Sequence, residues 1–138
     1  MVITEHISVK TKGYTDVVDI TSECQELING AGLQGGVITV FNPGSTGGLT
    51  TIEYEPNLVK DLKDALEVFA PVDKAYAHSN TWHDDNGSSH IRSSLMGPSI
   101  SVPFVNGELT LGTWQQIIFC DFDTRGRKRE LVVQIIGE

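Results

Sequence analysis

Basic residues are scarce: ten Lys and Arg stand against eighteen Asp and Glu in 138 residues, a formal net charge of −8 with a pI near 4.8. The mean field of such a surface repels polyanions, so a nucleic-acid or acidic-membrane binder would need a concentrated basic patch. Only Arg125, Arg127, Lys128 and Arg129 approach one, in a single short turn, so neither nucleic acid nor membrane is an expected partner. Cysteine is scarcer still. Cys24 and Cys120 lie in different segments with neither a CxxC pair nor the Cys-dense framework of a small secreted domain, and both read as buried free thiols. No apolar run approaches the roughly 20 residues of a spanning helix, and Met1-Val2-Ile3-Thr4-Glu5-His6 lacks the basic and apolar regions of a leader; together these predict a cytoplasmic location. The helical HExxH pattern, the P-loop lysine and the GxSxG elbow are all missing, so the commonest zinc-protease, nucleotide and serine-hydrolase signatures are excluded.

What is present describes a globular chain, 39% hydrophobic and 20% charged, of a length that suits one domain over residues 1–138. Residues 2–10 place Ile3, Ile7 and Val9 on one side and Thr4, His6, Ser8 and Lys10 on the other, the period-two signature of a half-buried strand. After Gly13 a short strand over 16–20 leads into a helix, its start marked by Ser22 and Gln25 as a capping box and its end by Gly30 and Gly32. Cys24, Leu27, Ile28 and Ala31 share its core face. The β-branched run Gly36-Val37-Ile38-Thr39-Val40-Phe41 reads as a central strand covered on both faces.

A strand over 49–54 and a helix entered at Pro56 and closed by Pro71 follow, with Leu58, Leu62, Ala65, Leu66 and Phe69 facing the core. Residues 76–90 carry many turn formers and read as a functional loop. Asn106-Gly107 predicts a tight hairpin between 99–105 and 108–111, and 114–122 with 129–136 reads as a second hairpin in which Trp114 packs as core. About seven strands and two main helices make an α+β domain on a largely antiparallel sheet or sandwich.

Within the loop, His78, His83 and His90 accompany Asp84, Asp85 and Asn86. Neutral imidazoles and carboxylates are the donor set for a divalent transition metal, and solvated histidines with turn-capping acids are the other reading of the same residues. Pro43-Gly44-Ser45-Thr46-Gly47-Gly48 offers backbone N–H groups and two hydroxyls, either an anion nest or a flexible turn. Glu53 reads as a general base or as a rim residue at a strand end. His6, on the polar side of the first strand, reads as structural, as does His83 beside Trp82.

Tyr76-Ala77-His78, His90-Ile91-Arg92-Ser93-Ser94-Leu95-Met96-Gly97 and Asn106-Gly107-Glu108-Leu109-Thr110-Leu111-Gly112-Thr113-Trp114-Gln115-Gln116-Ile117 resemble the YjbQ family, whose members are also described as secondary thiamine-phosphate synthase-like proteins. The resemblance spans essentially the whole chain, and Gly112-Thr113-Trp114-Gln115 is its most specific motif. It implies a β-sandwich core, a homotrimer, and a polar histidine pocket able to hold a divalent metal, zinc being the expected ion. It also implies weak formation of thiamine phosphate from a pyrimidine pyrophosphate and a thiazole phosphate. By the same resemblance His78 and His90 are catalytic and metal-binding, with Asp85 as a third ligand and Glu53 as the matching acid. Gly44, Ser45, Thr46, Arg92 and Gln115 would contact substrate. Many members carry His-Thr-Thr or His-Thr-Ser where this chain has Gly44-Ser45-Thr46, and Ser88 stands where relatives can have a further histidine, so a sparser metal site is expected. The implied function is a metal-assisted enzyme for phosphorylated or pyrophosphorylated small molecules; the alternative is a non-catalytic trimer that binds a metal or a phosphorylated metabolite.

Overall fold

The computed structural model describes residues 1–138. In chain order the elements are β1 (Val2–Lys10), β2 (Asp16–Asp19), α1 (Thr21–Ala31), β3 (Gly35–Phe41), β4 (Gly47–Ile52), α2 (Pro56–Phe69), α3 (Ser79–Trp82), α4 (Gly87–Met96), β5 (Ser99–Val105), β6 (Glu108–Leu109), β7 (Gln116–Asp121) and β8 (Lys128–Gly137). All strand pairs are antiparallel, in a five-stranded sheet of order β1-β8-β3-β5-β6 and a three-stranded sheet of order β2-β7-β4. The α+β class is as expected. Four helices replace the two main ones, because the segment expected to be a loop folds into α3 and the first turn of α4.

Alternation places the core. Ile7 and Val9 of β1 turn inward with Leu131, Val133 and Ile135 of β8, while Thr4, His6, Ser8 and Lys10 stay on the solvent side. Ile38, Phe104, Ile117 and Phe119 join them, and α1 closes the space with Cys24 and Ile28. The opposite face of the small sheet packs Ile118 and Cys120 against Leu66 of α2, with Val59, Leu62 and Met96 at the margin. The result is three layers: large sheet, small sheet, and α2.

That layering corrects several expectations. The strand covered on both faces is β7, where Ile117, Ile118, Phe119 and Cys120 are all 0% exposed; β3 has Val37 and Phe41 open to solvent on the uncovered face of the large sheet. β7 and β8 are not a hairpin but lie in different sheets, joined by a crossover through residues 122–127. Each already has a strand on both flanks, β2 and β4 for β7, β1 and β3 for β8, so neither has an edge for the other. The Ser22 capping box does not form. Asp19 Oδ1 instead accepts from the Thr21 N–H at 2.9 Å, and Gln25 reaches across to the Gly107 carbonyl and the Leu109 N–H. Phe69 is exposed because α2 packs through Val59, Leu62 and Leu66, and Ala70 takes the buried place at its end. Trp114 is 71% exposed in the turn before β7, not core. The Asn106-Gly107 turn is as expected, with φ of 52° and 76°.

The crossover is seated by backbone contact and by buried charge. A Cβ on Gly126 would fall 2.3 Å from the Thr11 carbonyl oxygen, so only glycine lets the crossover lie against the end of β1. Beside it Asp121, fully buried, accepts Arg129 Nε at 2.9 Å, Arg129 Nη2 at 2.8 Å, Thr11 Oγ1 at 2.5 Å and the Asp123 N–H at 3.0 Å. Thr46 ties the loop before β4 to the same group, accepting from Arg129 Nη2 and donating to Asp123. Burial alone would raise the Asp121 pKa, but the hydrogen bonds from Arg129, Thr11 and Asp123, with the Arg129 charge, hold it below the ordinary 3.8.

Two outcomes follow for stability. Gly126→Ala is expected to lower the unfolding free energy by at least about 1–3 kcal/mol, whereas Gly30→Ala, with open space at the Cβ, should raise it by roughly 0.5–1 kcal/mol; urea titration measures both. Asp121→Ala leaves Arg129 as an uncompensated buried cation and should cost about 3–5 kcal/mol. Because the folded pKa is depressed, the contribution of Asp121 is fully present above 3.8 and is lost as pH falls through the folded value. The difference between wild type and Asp121→Ala, followed by urea unfolding across pH, should therefore shrink only below that point.

Candidate functional site

Gly87, the first residue of α4, lets the chain before it approach closely. A Cβ there would lie 2.5 Å from Tyr76 Cβ, and the Tyr76 hydroxyl donates to the Pro71 carbonyl at 2.6 Å. Residues 76–78 are thereby held against the start of α4. His78, at the entry to α3, meets His90, one turn into α4, with ring centroids 4.6 Å apart and planes at 61°. α4 is anchored to the sheets by small polar side chains: Ser89 Oγ donates to the Phe122 carbonyl and Ser93 Oγ to the Gly47 carbonyl. His90 is therefore fixed by a packed helix rather than carried on a loop.

The carboxylate beside the pair is Asp84, not Asp85. Asp84 Oδ1 lies 3.4 Å from His78 Nε2, and the Asn86 amide nitrogen, turned toward it, lies 3.1 and 3.2 Å from the two carboxylate oxygens. Asp85 is exposed and lines the adjoining cleft, a space of about 440 Å³ that runs between Asp84 and Asn86 on one side and Asp123, Arg125 and Arg127 on the other. No three His, Cys, Asp or Glu side chains are gathered to hold a metal ion. His83 ends α3 with φ 56° and is exposed.

The other predicted residues are dispersed. Arg92 is buried and committed to the fold, donating to the Ala70 carbonyl, Thr15 Oγ1 and Glu67 Oε2 at 2.7–3.0 Å. Glu53 is exposed just beyond β4, and it is Glu55 that caps α2 through the N–H groups of Asn57 and Leu58. Gln115 folds back on its own turn, accepting from the Gly112 N–H at 2.9 Å and donating to Thr51 Oγ1 at 3.3 Å, in a groove that it shares with Asp19, Thr21 and Gln25. Gly44, Ser45 and Thr46 sit at the Arg129 cluster, where the Thr46 hydroxyl is taken by Arg129 and Asp123. Burial pushes the Cys24 and Cys120 thiols up to about 12, so neither offers a thiolate.

Sequence reasoning missed Arg129. The signal was its parity: it shares the inward face of β8 with Leu131, Val133 and Ile135, where a cation needs a buried partner. No helix of the chain is long and apolar enough to cross a membrane.

The family model described as "UPF0047 protein YjbQ-like" matches residues 5–138. A UPF0047 protein of Methanothermobacter thermautotrophicus is 35% identical over 137 residues, covering 99% of this chain and 94% of its own. UPF0047 protein YugU of Bacillus subtilis is 32% identical, with 95% and 97% covered. Among solved structures, a YbjQ-like protein of unknown function from Sulfolobus solfataricus superposes with a TM-score of 0.94 at 28% identity, covering 100% of this chain and 99% of that one. An uncharacterized YjbQ/UPF0047 protein of Clostridium acetobutylicum gives 0.87 at 34%, with 96% and 99% covered. With the family model spanning nearly all of the chain and these relatives matching from end to end, the protein belongs to the YjbQ-like UPF0047 family.

Proposed function

We propose that the His78–His90 pair is the centre of a small-molecule site that acts on phosphorylated or pyrophosphorylated substrates by imidazole acid–base chemistry. The observation that carries this reading is the edge-to-face contact of two partly exposed imidazoles, one with a carboxylate at its Nε2, that carboxylate lining a polar cleft that also bears Arg125 and Arg127. A carboxylate at one ring nitrogen orients an imidazole. A protonated imidazole can give its proton to a departing phosphate or pyrophosphate, and a neutral ring can accept one from an attacking group. In thiamine-phosphate formation, the weak activity implied by the resemblance, the proton would go to pyrophosphate as it leaves the pyrimidine.

The divalent ion implied by the same resemblance would be held by His78 and His90, a donor pair that suits zinc. With no third protein ligand gathered beside them, the side chains do not by themselves form a resident metal site. A binding protein without turnover is the second reading, and Gly44, standing where an imidazole is common, is the feature that favours it.

Self-association belongs to the proposal. The uncovered face of the large sheet brings Val37 beside Ile136, both exposed, with Phe41 beyond Thr39 on the same strand and Val105 on β5, apolar groups that a second copy would cover. Light scattering at micromolar concentration should give about three times 15.1 kDa, and a mass near the single chain would reject the trimer.

For the site itself, His90→Ala should lower thiamine-phosphate formation or phosphate-ester hydrolysis by about 10²–10⁴-fold with unchanged far-UV circular dichroism. Equal rates in wild type and variant would place the turnover outside this pocket.

A further inference from the structure

The loop between β3 and β4 holds a run of free donors. Two of its carbonyls are occupied: the Gly44 oxygen accepts from Asn42 Nδ2 at 3.2 Å and the Thr46 oxygen from the Phe122 N–H at 2.9 Å. Its donors are not. The successive N–H groups of Gly44, Ser45 and Thr46 donate to no group in the protein, although Thr46 is only 5% exposed. Gly44 is half-buried and Ser45 exposed, but buried backbone N–H groups are almost always paired, so the Thr46 N–H at the base of this turn calls for a ligand that accepts.

Arg129 supplies the second, independent observation. Its side chain is 9% exposed, and three of its five N–H groups are committed, Nε and one Nη2 hydrogen to Asp121 and the other Nη2 hydrogen to Thr46 Oγ1. Nη1 makes no hydrogen bond. No side-chain nitrogen sealed from solvent lacks a partner in this protein, so Nη1 opens outward, and it opens at the loop: a Cβ on Gly44 would come within 3.0 Å of it. The carboxylates of Asp121 and Asp123 sit on the Nε and Nη2 side of the guanidinium, so neither takes a hydrogen bond from Nη1.

We infer that Gly44, Ser45, Thr46 and Arg129 form a site for a tetrahedral oxyanion, with Arg129 Nη1 and the loop N–H groups as donors and a phosphate or terminal pyrophosphate group as the ligand. Successive N–H groups in a concave turn bind anions, and a guanidinium edge adds a charge-assisted bond of fixed geometry. Asp121 makes this work by orienting Arg129, and the bare Gly44 lets the loop backbone approach Nη1. The inference deepens the proposed function by naming the groups that would read the substrate phosphate, and it rests on that reading only for the identity of the rest of the molecule.

The test uses the full chain, labelled with ¹⁵N, and inorganic pyrophosphate as the probe. Saturable shifts of the Gly44, Ser45 and Thr46 amide resonances are expected. Gly44→Asp, whose backbone φ lies outside the left-handed region, places a carboxylate against Nη1 and should weaken binding roughly tenfold or more with the fold intact by circular dichroism. Undisturbed loop amides in the wild type overturn the inference without any variant, as does equal affinity in Gly44→Asp. If pyrophosphate moves only the His78 and His90 ring signals, the nest is rejected while the acid–base reading stands. If the loop amides respond but His90→Ala leaves turnover unchanged, the nest stands and the acid–base reading falls.

Discussion

The buried pair of Arg129 and Asp121 is the interaction on which the arrangement of the two sheets turns. Asp121 is the last residue of the central strand of the small sheet, and Arg129 is the second residue of the strand at the heart of the large one. Their two hydrogen bonds therefore link the sheets across the crossover, and Thr11 and Thr46 add the end of β1 and the loop before β4 to the same group. Ion pairs in the interior seldom outperform apolar packing, since desolvation offsets most of the attraction. Here the pair specifies rather than glues: it sets where the chain leaves one sheet and enters the other, and it holds a cation beside a glycine-rich loop.

Close backbone approach does the complementary work at the imidazole pair. Gly87 admits Tyr76 to the start of α4, and the serines of α4 reach the Phe122 and Gly47 carbonyls, so the helix that carries His90 is pinned to the end of β7 and the start of β4. Two imidazoles twelve residues apart are thereby brought into contact without either being strained at φ. The cleft beside them is walled by Asp84 and Asn86 and by Asp123 and Arg127, and Asp123 is also the residue that accepts from Thr46. Asp84, the partner of His78, and Asp123, the partner of Thr46, thus line one polar space, in which Arg125 and Arg127 set a few positive groups against a strongly acidic surface.

Much of the architecture was legible in the residues because it depends on local rules. The alternation of β1, the glycine that ends α1, the proline boundaries of α2 and the positive φ of Asn106-Gly107 each follow from sterics or period over a few residues. The nearness of His78 and His90 and the family itself were also readable, the latter from Gly112-Thr113-Trp114-Gln115 and its flanks. What failed to show was whatever depended on a partner distant in sequence. Trp114 and Phe69 look like core by type, yet each lies where no layer covers it. Arg92 looks like a ligand-binding arginine, yet Glu67, Thr15 and the Ala70 carbonyl occupy it.

The amino-acid sequence by itself determined the antiparallel α+β class, the positions of most strands, the free buried thiols and the segment that holds the histidines. These rest on periodicity, turn chemistry and composition, which are properties of neighbours along the chain. Only the tertiary structure decided that β7 and β8 part into different sheets, that Asp84 rather than Asp85 faces His78, and that Arg129 keeps one donor edge free at Gly44. Those outcomes depend on which strand edges are already taken and on which carboxylate neutralises a buried cation, and both are settled by packing between residues far apart along the chain.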